Sequence, residues 1–106
     1  MITYKNISIN EELCSVRKDG RLVHLTKTQY WLFLILLEHA GQICTREYLL
    51  SSVWHIKTPL LTRRVDAYIT LLRKKLGLGK NELKCVMGHG YVLAEDSDTS
   101  TPYTQE

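Results

Sequence analysis

Apolar positions come in short, broken groups over the first 25 residues. Ile2, Tyr4, Ile7 and Ile9 are spaced apart and interrupted at Asn6. Leu13 and Val16, then Val23 and Leu25, flank Asp19-Gly20. An Asp-Gly pair between two apolar-bearing runs is a strong hairpin signal. The pattern predicts an antiparallel sheet of about four short strands over residues 1–25. At Thr26 the period changes. Thr26-Lys27-Thr28-Gln29 has the form of a capping box, in which the threonine and the glutamine satisfy each other's backbone N–H groups. The helix it opens runs to about Ala40 and stops at Gly41. Its middle, Tyr30 to Leu37, is apolar on every face and so must be covered on all sides. A second helix starts near Arg46, capped by Thr45, with Glu47 favourable in its first turn. Tyr48, Leu49, Val53 and Trp54 supply its apolar side, and Pro59 marks a loop over 55–61. A third helix spans about Thr62 to Leu76, because Val65, Ile69, Leu72 and Leu76 recur at i, i+4, i+7 and i+11. Its other face carries Arg63, Arg64, Ala67, Tyr68, Thr70, Leu71, Lys74 and Lys75. Two β-rich runs around Gly88-His89-Gly90 predict a closing hairpin over 83–94.

Composition narrows the class. The 106 residues are 44% apolar and 24% charged, as in one ordinary globular domain. Residues 1–95 read as that domain, and 96–106 as an acidic, disordered tail. The longest apolar run is too short to cross a bilayer, and no secretory signal is expected at the start. Cys14, Cys44 and Cys85 are odd in number and widely spaced, which points to reduced thiols and a cytoplasmic setting. The net charge is +3, but its distribution says more. With Glu95, Asp96, Asp98 and Glu106 set aside, fourteen bases face seven acids. Between Lys57 and Lys84 stand eight bases and two acids, Asp66 and Glu82. Such a stretch is an electrostatic footprint for a polyanion, or a solvated helix face. His24, His39, His55, His89 and the cysteines show no metal-ligand spacing, and no metal or cofactor is expected. No phosphate-binding glycine loop and no nucleophile–base set appears, so an enzyme is not expected.

Strands, three helices and a hairpin, with basic charge on the third helix and the hairpin, make the order of an α+β winged helix. An exposed helix fits the DNA major groove, and its bases release counterions from phosphates. The chain also resembles the effector domain of the OmpR/PhoB family of bacterial response regulators. The match rests on Leu25-Thr26, Leu36-Leu37, Gly41, Thr45-Arg46-Glu47, Leu49-Leu50 and Val53-Trp54. It continues through Val65-Asp66-Ala67-Tyr68-Ile69, Leu72-Arg73-Lys74-Lys75-Leu76 and Gly88-His89-Gly90-Tyr91. It covers about residues 2–94, and its force lies in the order and spacing of motifs that are weak singly. The resemblance implies an N-terminal four-stranded antiparallel sheet, a three-helix core and a C-terminal β-hairpin wing. It implies a sequence-specific double-stranded DNA-binding transcription regulator in a two-component regulatory system. It also implies a homodimer on direct repeats in a promoter, with the 55–61 loop facing RNA polymerase.

Carried over residue by residue, the resemblance places Arg63, Arg64 and Tyr68 against the DNA backbone or groove floor. Arg73 and Lys74 are phosphate candidates, Thr70 and Leu71 groove candidates, and Lys84, Met87 and His89 wing candidates. Trp54 is both a packing anchor and a candidate backbone contact. The chain departs from the family at Leu71 and Met87, where arginines are usual, at Cys85, where a threonine is usual, and at Leu61-Thr62, where acids are usual. Leu71 fits a thymine methyl. The missing arginines also suit a second reading, a winged-helix module that binds protein and has lost base readout.

Overall fold

The computed structural model describes residues 2–58 and 61–95. Four strands form an antiparallel meander in chain order: β1 (Ile2–Tyr4), β2 (Ile7–Asn10), β3 (Ser15–Lys18) and β4 (Arg21–Val23). The register sets Ile2 opposite Ile9, Ile9 opposite Val16, and Val16 opposite Val23. One apolar row therefore crosses the whole sheet, the side-chain pairing that stabilises such a face. At the β3–β4 turn Asp19 and Gly20 have φ of 52° and 81°. Positive φ at both central residues is what a two-residue hairpin of this hand requires. The strands do break at Asn6, and its side-chain amide donates to Asp19 Oδ1 at 2.9 Å, tying one turn to the other. Leu13, read as part of the apolar run before Asp19-Gly20, is 74% exposed in the β2–β3 turn. Its backbone N–H donates to Asn10 Oδ1, so turn geometry rather than burial sets its place.

The first helix, α1 (Lys27–Glu38), starts on the capping box read from the sequence. Gln29 N–H donates to Thr26 Oγ1 at 3.2 Å and Thr26 N–H to Gln29 Oε1 at 2.9 Å. The helix ends at Glu38, two residues short of Ala40. Gly41 turns away, and its N–H donates to Leu93 O at 2.8 Å. Tyr30, Leu32, Phe33, Leu34, Leu36 and Leu37 are buried. Trp31, at 44% exposure, corrects the expectation that every face is covered. The N-terminal sheet reaches α1 through the edge-to-face pair Tyr4–Phe33, and the Tyr4 hydroxyl donates to Ala94 O at 2.6 Å.

The second helix, α2 (Arg46–Trp54), has Thr45 as its cap, accepting from Tyr48 N–H at 3.0 Å. Tyr48 is half-exposed rather than on the packed side, because its hydroxyl pairs with His39 Nε2 at 3.0 Å. The third helix, α3 (Arg63–Leu76), buries Val65, Ile69, Leu72 and Leu76 as the period requires. The expected hairpin is joined by one strand the sequence did not show, making a second sheet in the order β5 (Cys44–Thr45), β7 (Gly90–Leu93), β6 (Leu83–Val86). Strand β5 is what anchors the hairpin. Gly90, with φ of 153°, makes this possible: a Cβ there would stand 2.1 Å from Cys44 O. Pro59, read as part of a loop, and the acidic segment 96–106 lie outside the described residues. Among the described residues no helix is long and apolar enough to cross a membrane.

Candidate nucleic-acid interface

Burial of one stripe of α3 turns the opposite stripe outward. Arg63, Arg64, Ala67, Thr70, Leu71 and Lys74 are all exposed on it. Thr70 donates its hydroxyl to Asp66 O at 3.1 Å, one turn back on its own helix. Tyr68 is half-buried on the flank and stacks edge-on against Trp54, with ring centroids 4.9 Å apart. That contact gives Trp54 its packing role and carries the end of α2 against α3.

The remaining bases on α3 have other work in the fold. Lys75 is not a free surface charge: Nζ donates to His24 O at 2.8 Å and to Gln29 Oε1 at 3.1 Å, joining α3 to the start of α1. Arg73 is half-buried, and Nε and Nη2 both donate to Leu83 O, at 3.1 and 2.7 Å. The structure thus gives Arg73 a role that the phosphate reading did not include, holding β6 against α3. Arg73 makes no ion pair with Asp66, seven residues earlier on the same helix.

Asp66 is taken by a different group. Its Oδ1 accepts from Arg46 Nε at 2.7 Å and from the Tyr91 hydroxyl. The Arg46 guanidinium also lies 5.1 Å from the centre of the Tyr91 ring and approaches Cys85 Sγ. Burial pushes the Asp66 carboxyl up, but the hydrogen bonds from Tyr91 and Arg46, with the charge on Arg46, hold it below the usual carboxylate value. Burial and the bond to Asp66 push the Tyr91 hydroxyl up to about 12. Sequence reasoning missed this cluster. Its only sign was that Arg46, Asp66 and Tyr91 each sit in a quoted motif, with nothing in the spacing to pair them.

The wing is therefore tied to α3 twice, by Tyr91 on Asp66 and by Leu83 on Arg73. Its tip, residues 87–89, is closed by His89 N–H donating to Val86 O at 2.9 Å. Met87 at the tip is 90% exposed, and His89 and Lys84 are exposed as well. The expected wing residues stand together at the free end and outer strand of one hairpin. A hollow of about 220 Å³ between His39, Ile43, Cys44, Thr45 and Tyr48 lies away from these residues and is small for a ligand site. Among the described residues no three His, Cys, Asp or Glu side chains gather as a metal ion would need.

Known proteins share this arrangement. Residues 20–93 match the family model described as transcriptional regulatory protein, C terminal. The response regulator ArlR of Staphylococcus saprophyticus is 37% identical over 97 residues, which are 90% of this chain and 44% of that protein. This chain thus spans less than half the length of that relative. The DNA-binding domain of CpxR from E. coli superposes with a TM-score of 0.81 at 26% identity, covering 91% of this chain and 97% of that one. The Klebsiella pneumoniae RstA DNA-binding domain, solved in complex with the RstA box, gives a TM-score of 0.80 at 30% identity, covering 88% and 95%. The family is one of transcription-factor domains, not of enzymes. With its N-terminal sheet, three helices and tethered wing, the chain belongs to the transcriptional regulatory protein C-terminal family, the OmpR/PhoB-type winged-helix DNA-binding domains.

Proposed function

We propose that residues 1–95 form a sequence-specific binder of double-stranded DNA that regulates transcription in the cytoplasm. The exposed stripe of α3 enters the major groove, and the tip of the wing leans to the minor groove. The observation that carries this reading is the outward placement of Arg63, Arg64 and Lys74 on a helix whose other side is sealed in the core. A helix held in the core presents these bases to phosphates without any cost in ordering its backbone. Lys84 and His89 add contacts from the wing, Met87 lies over the groove edge, and Tyr68, Trp54 and Thr70 line the helix side. Arg73 joins them with the part of its guanidinium fork that Leu83 leaves open. The RstA domain, solved in complex with the RstA box, supports DNA binding by likeness of fold. Binding as a homodimer on direct repeats, and contact of the 55–61 loop with RNA polymerase, complete the proposal. Part of that loop lies outside the described residues.

Fluorescence anisotropy against duplex DNA over a range of salt concentrations tests the reading. About four to six phosphate contacts give a log–log slope of about −4 to −5. Affinity without salt dependence would sink it. The second reading, a protein-binding module, draws on the exposure of Leu71 and Met87, where no charge reaches a base. Footprinting separates the two, since that module would protect no DNA.

A further inference from the structure

The outward stripe of α3 is charged only at its ends. Arg63, Ala67, Thr70, Leu71 and Lys74 follow one another at i, i+4, i+7, i+8 and i+11, with Arg64 beside them. The middle of the stripe is hydrocarbon apart from the Thr70 hydroxyl. Leu71 is 40% exposed, although the same helix has a buried side for leucines. Thr70 has its hydroxyl proton committed to Asp66 O. Ala67 offers a methyl and nothing else. Guanine is read in the major groove by paired N–H donors, adenine by a side-chain amide, and cytosine by an acceptor such as a carboxylate. The middle of the stripe holds no arginine, lysine, asparagine or glutamine. Asp66 is the one acid of α3, and Arg46 and Tyr91 hold its Oδ1. The base edge that matches exposed methyl and isobutyl groups is thymine, whose C5-methyl projects into the major groove.

We propose that α3 selects its site by thymine methyl groups, with Leu71 as the residue that determines specificity and Ala67 as its neighbour one turn away. This rests on the reading of α3 as a major-groove helix. Ala67 and Leu71 are about 6 Å apart along the helix, so they reach thymines about one or two base pairs apart. Arg63, Arg64 and Lys74 anchor the flanking phosphates and leave the choice of base to the apolar centre.

The test uses the full chain and a pool of duplexes with a randomised core. The enriched duplex is resynthesised with each dT in turn replaced by dU, which keeps base pairing and removes only the methyl. At one or two positions dU weakens binding by about fourfold, the worth of one buried methyl group. In Leu71→Ala the penalty at the Leu71 position falls to near one, while circular dichroism and melting match the parent because Leu71 is a surface residue. Tight binding that ignores dU at every position overturns the inference, as does an enriched core of G·C pairs. A dU penalty of the same size in Leu71→Ala overturns the role of Leu71. Absence of salt-dependent duplex binding by the parent chain would instead bring down the proposed function, and this inference with it.

Discussion

Asp66 shows how a single side chain sets both shape and pH response. Its carboxyl is depressed in the fold, so its contribution to stability is present above the ordinary carboxylate pKa near 4 and is lost as pH falls below it. Tyr91→Phe removes one of its two donors. That change should destabilise the chain by about 1 kcal/mol at neutral pH. It should also move acid unfolding, followed by circular dichroism, to a higher pH. The Tyr91 hydroxyl acts at the other limit: its raised pKa, about 12, stabilises the fold below pH 10 and stops doing so between about 10 and 12. Arg63 and Arg64 make none of these bonds, being exposed at the start of α3, and Arg63 acts on Asp66 only through its charge, the smallest of the effects that lower that carboxyl. Arg63→Ala should lower the melting temperature only slightly, weaken binding to every duplex alike, and reduce the salt slope by about one. A loss confined to one DNA sequence would place Arg63 on a base instead.

At the scale of elements, Gly90 decides whether the hairpin becomes a wing. Gly90→Ala would drive a Cβ into the backbone of β5. The expected result is loss of β5–β7 pairing and a destabilisation of about 2 kcal/mol or more, read by chemical denaturation. A melting curve unchanged from the parent would show that β5 does not hold the wing. The long elements were legible from residue pattern alone. The 3.6 period of Val65, Ile69, Leu72 and Leu76 located α3, Thr26 and Gln29 located the start of α1, and Asp19-Gly20 located a turn. Strand β5 was not, because two residues, Cys44 and Thr45, are too few to show alternation. The exposed stripe proposed to face DNA was legible in its placement, since charge and helical period together put Arg63, Arg64 and Lys74 opposite the core. The structural roles of Arg73, Lys75 and Arg46 were not. A basic residue looks the same in a sequence whether its partner is water, a phosphate, or a carbonyl ten residues away such as Leu83 O.

For the whole molecule, the two ties between α3 and the wing make one body that presents helix and hairpin in a fixed relation. If the proposed binding to direct repeats holds, each body covers one half-site and a pair of repeats should recruit two chains. Titration of a duplex carrying two repeats, followed by sedimentation, should end at two chains per duplex, and a single repeat at one. One chain on both duplexes would remove the homodimer from the proposal. Thr45 sits at the hub of this arrangement. The same residue caps α2 through its side chain and pairs with Gly90 through its backbone. Hairpins of two strands are marginal alone, so the wing borrows its firmness from the start of a helix. Any force that bends the start of α2 would therefore be felt at Met87 as a change in where the tip points.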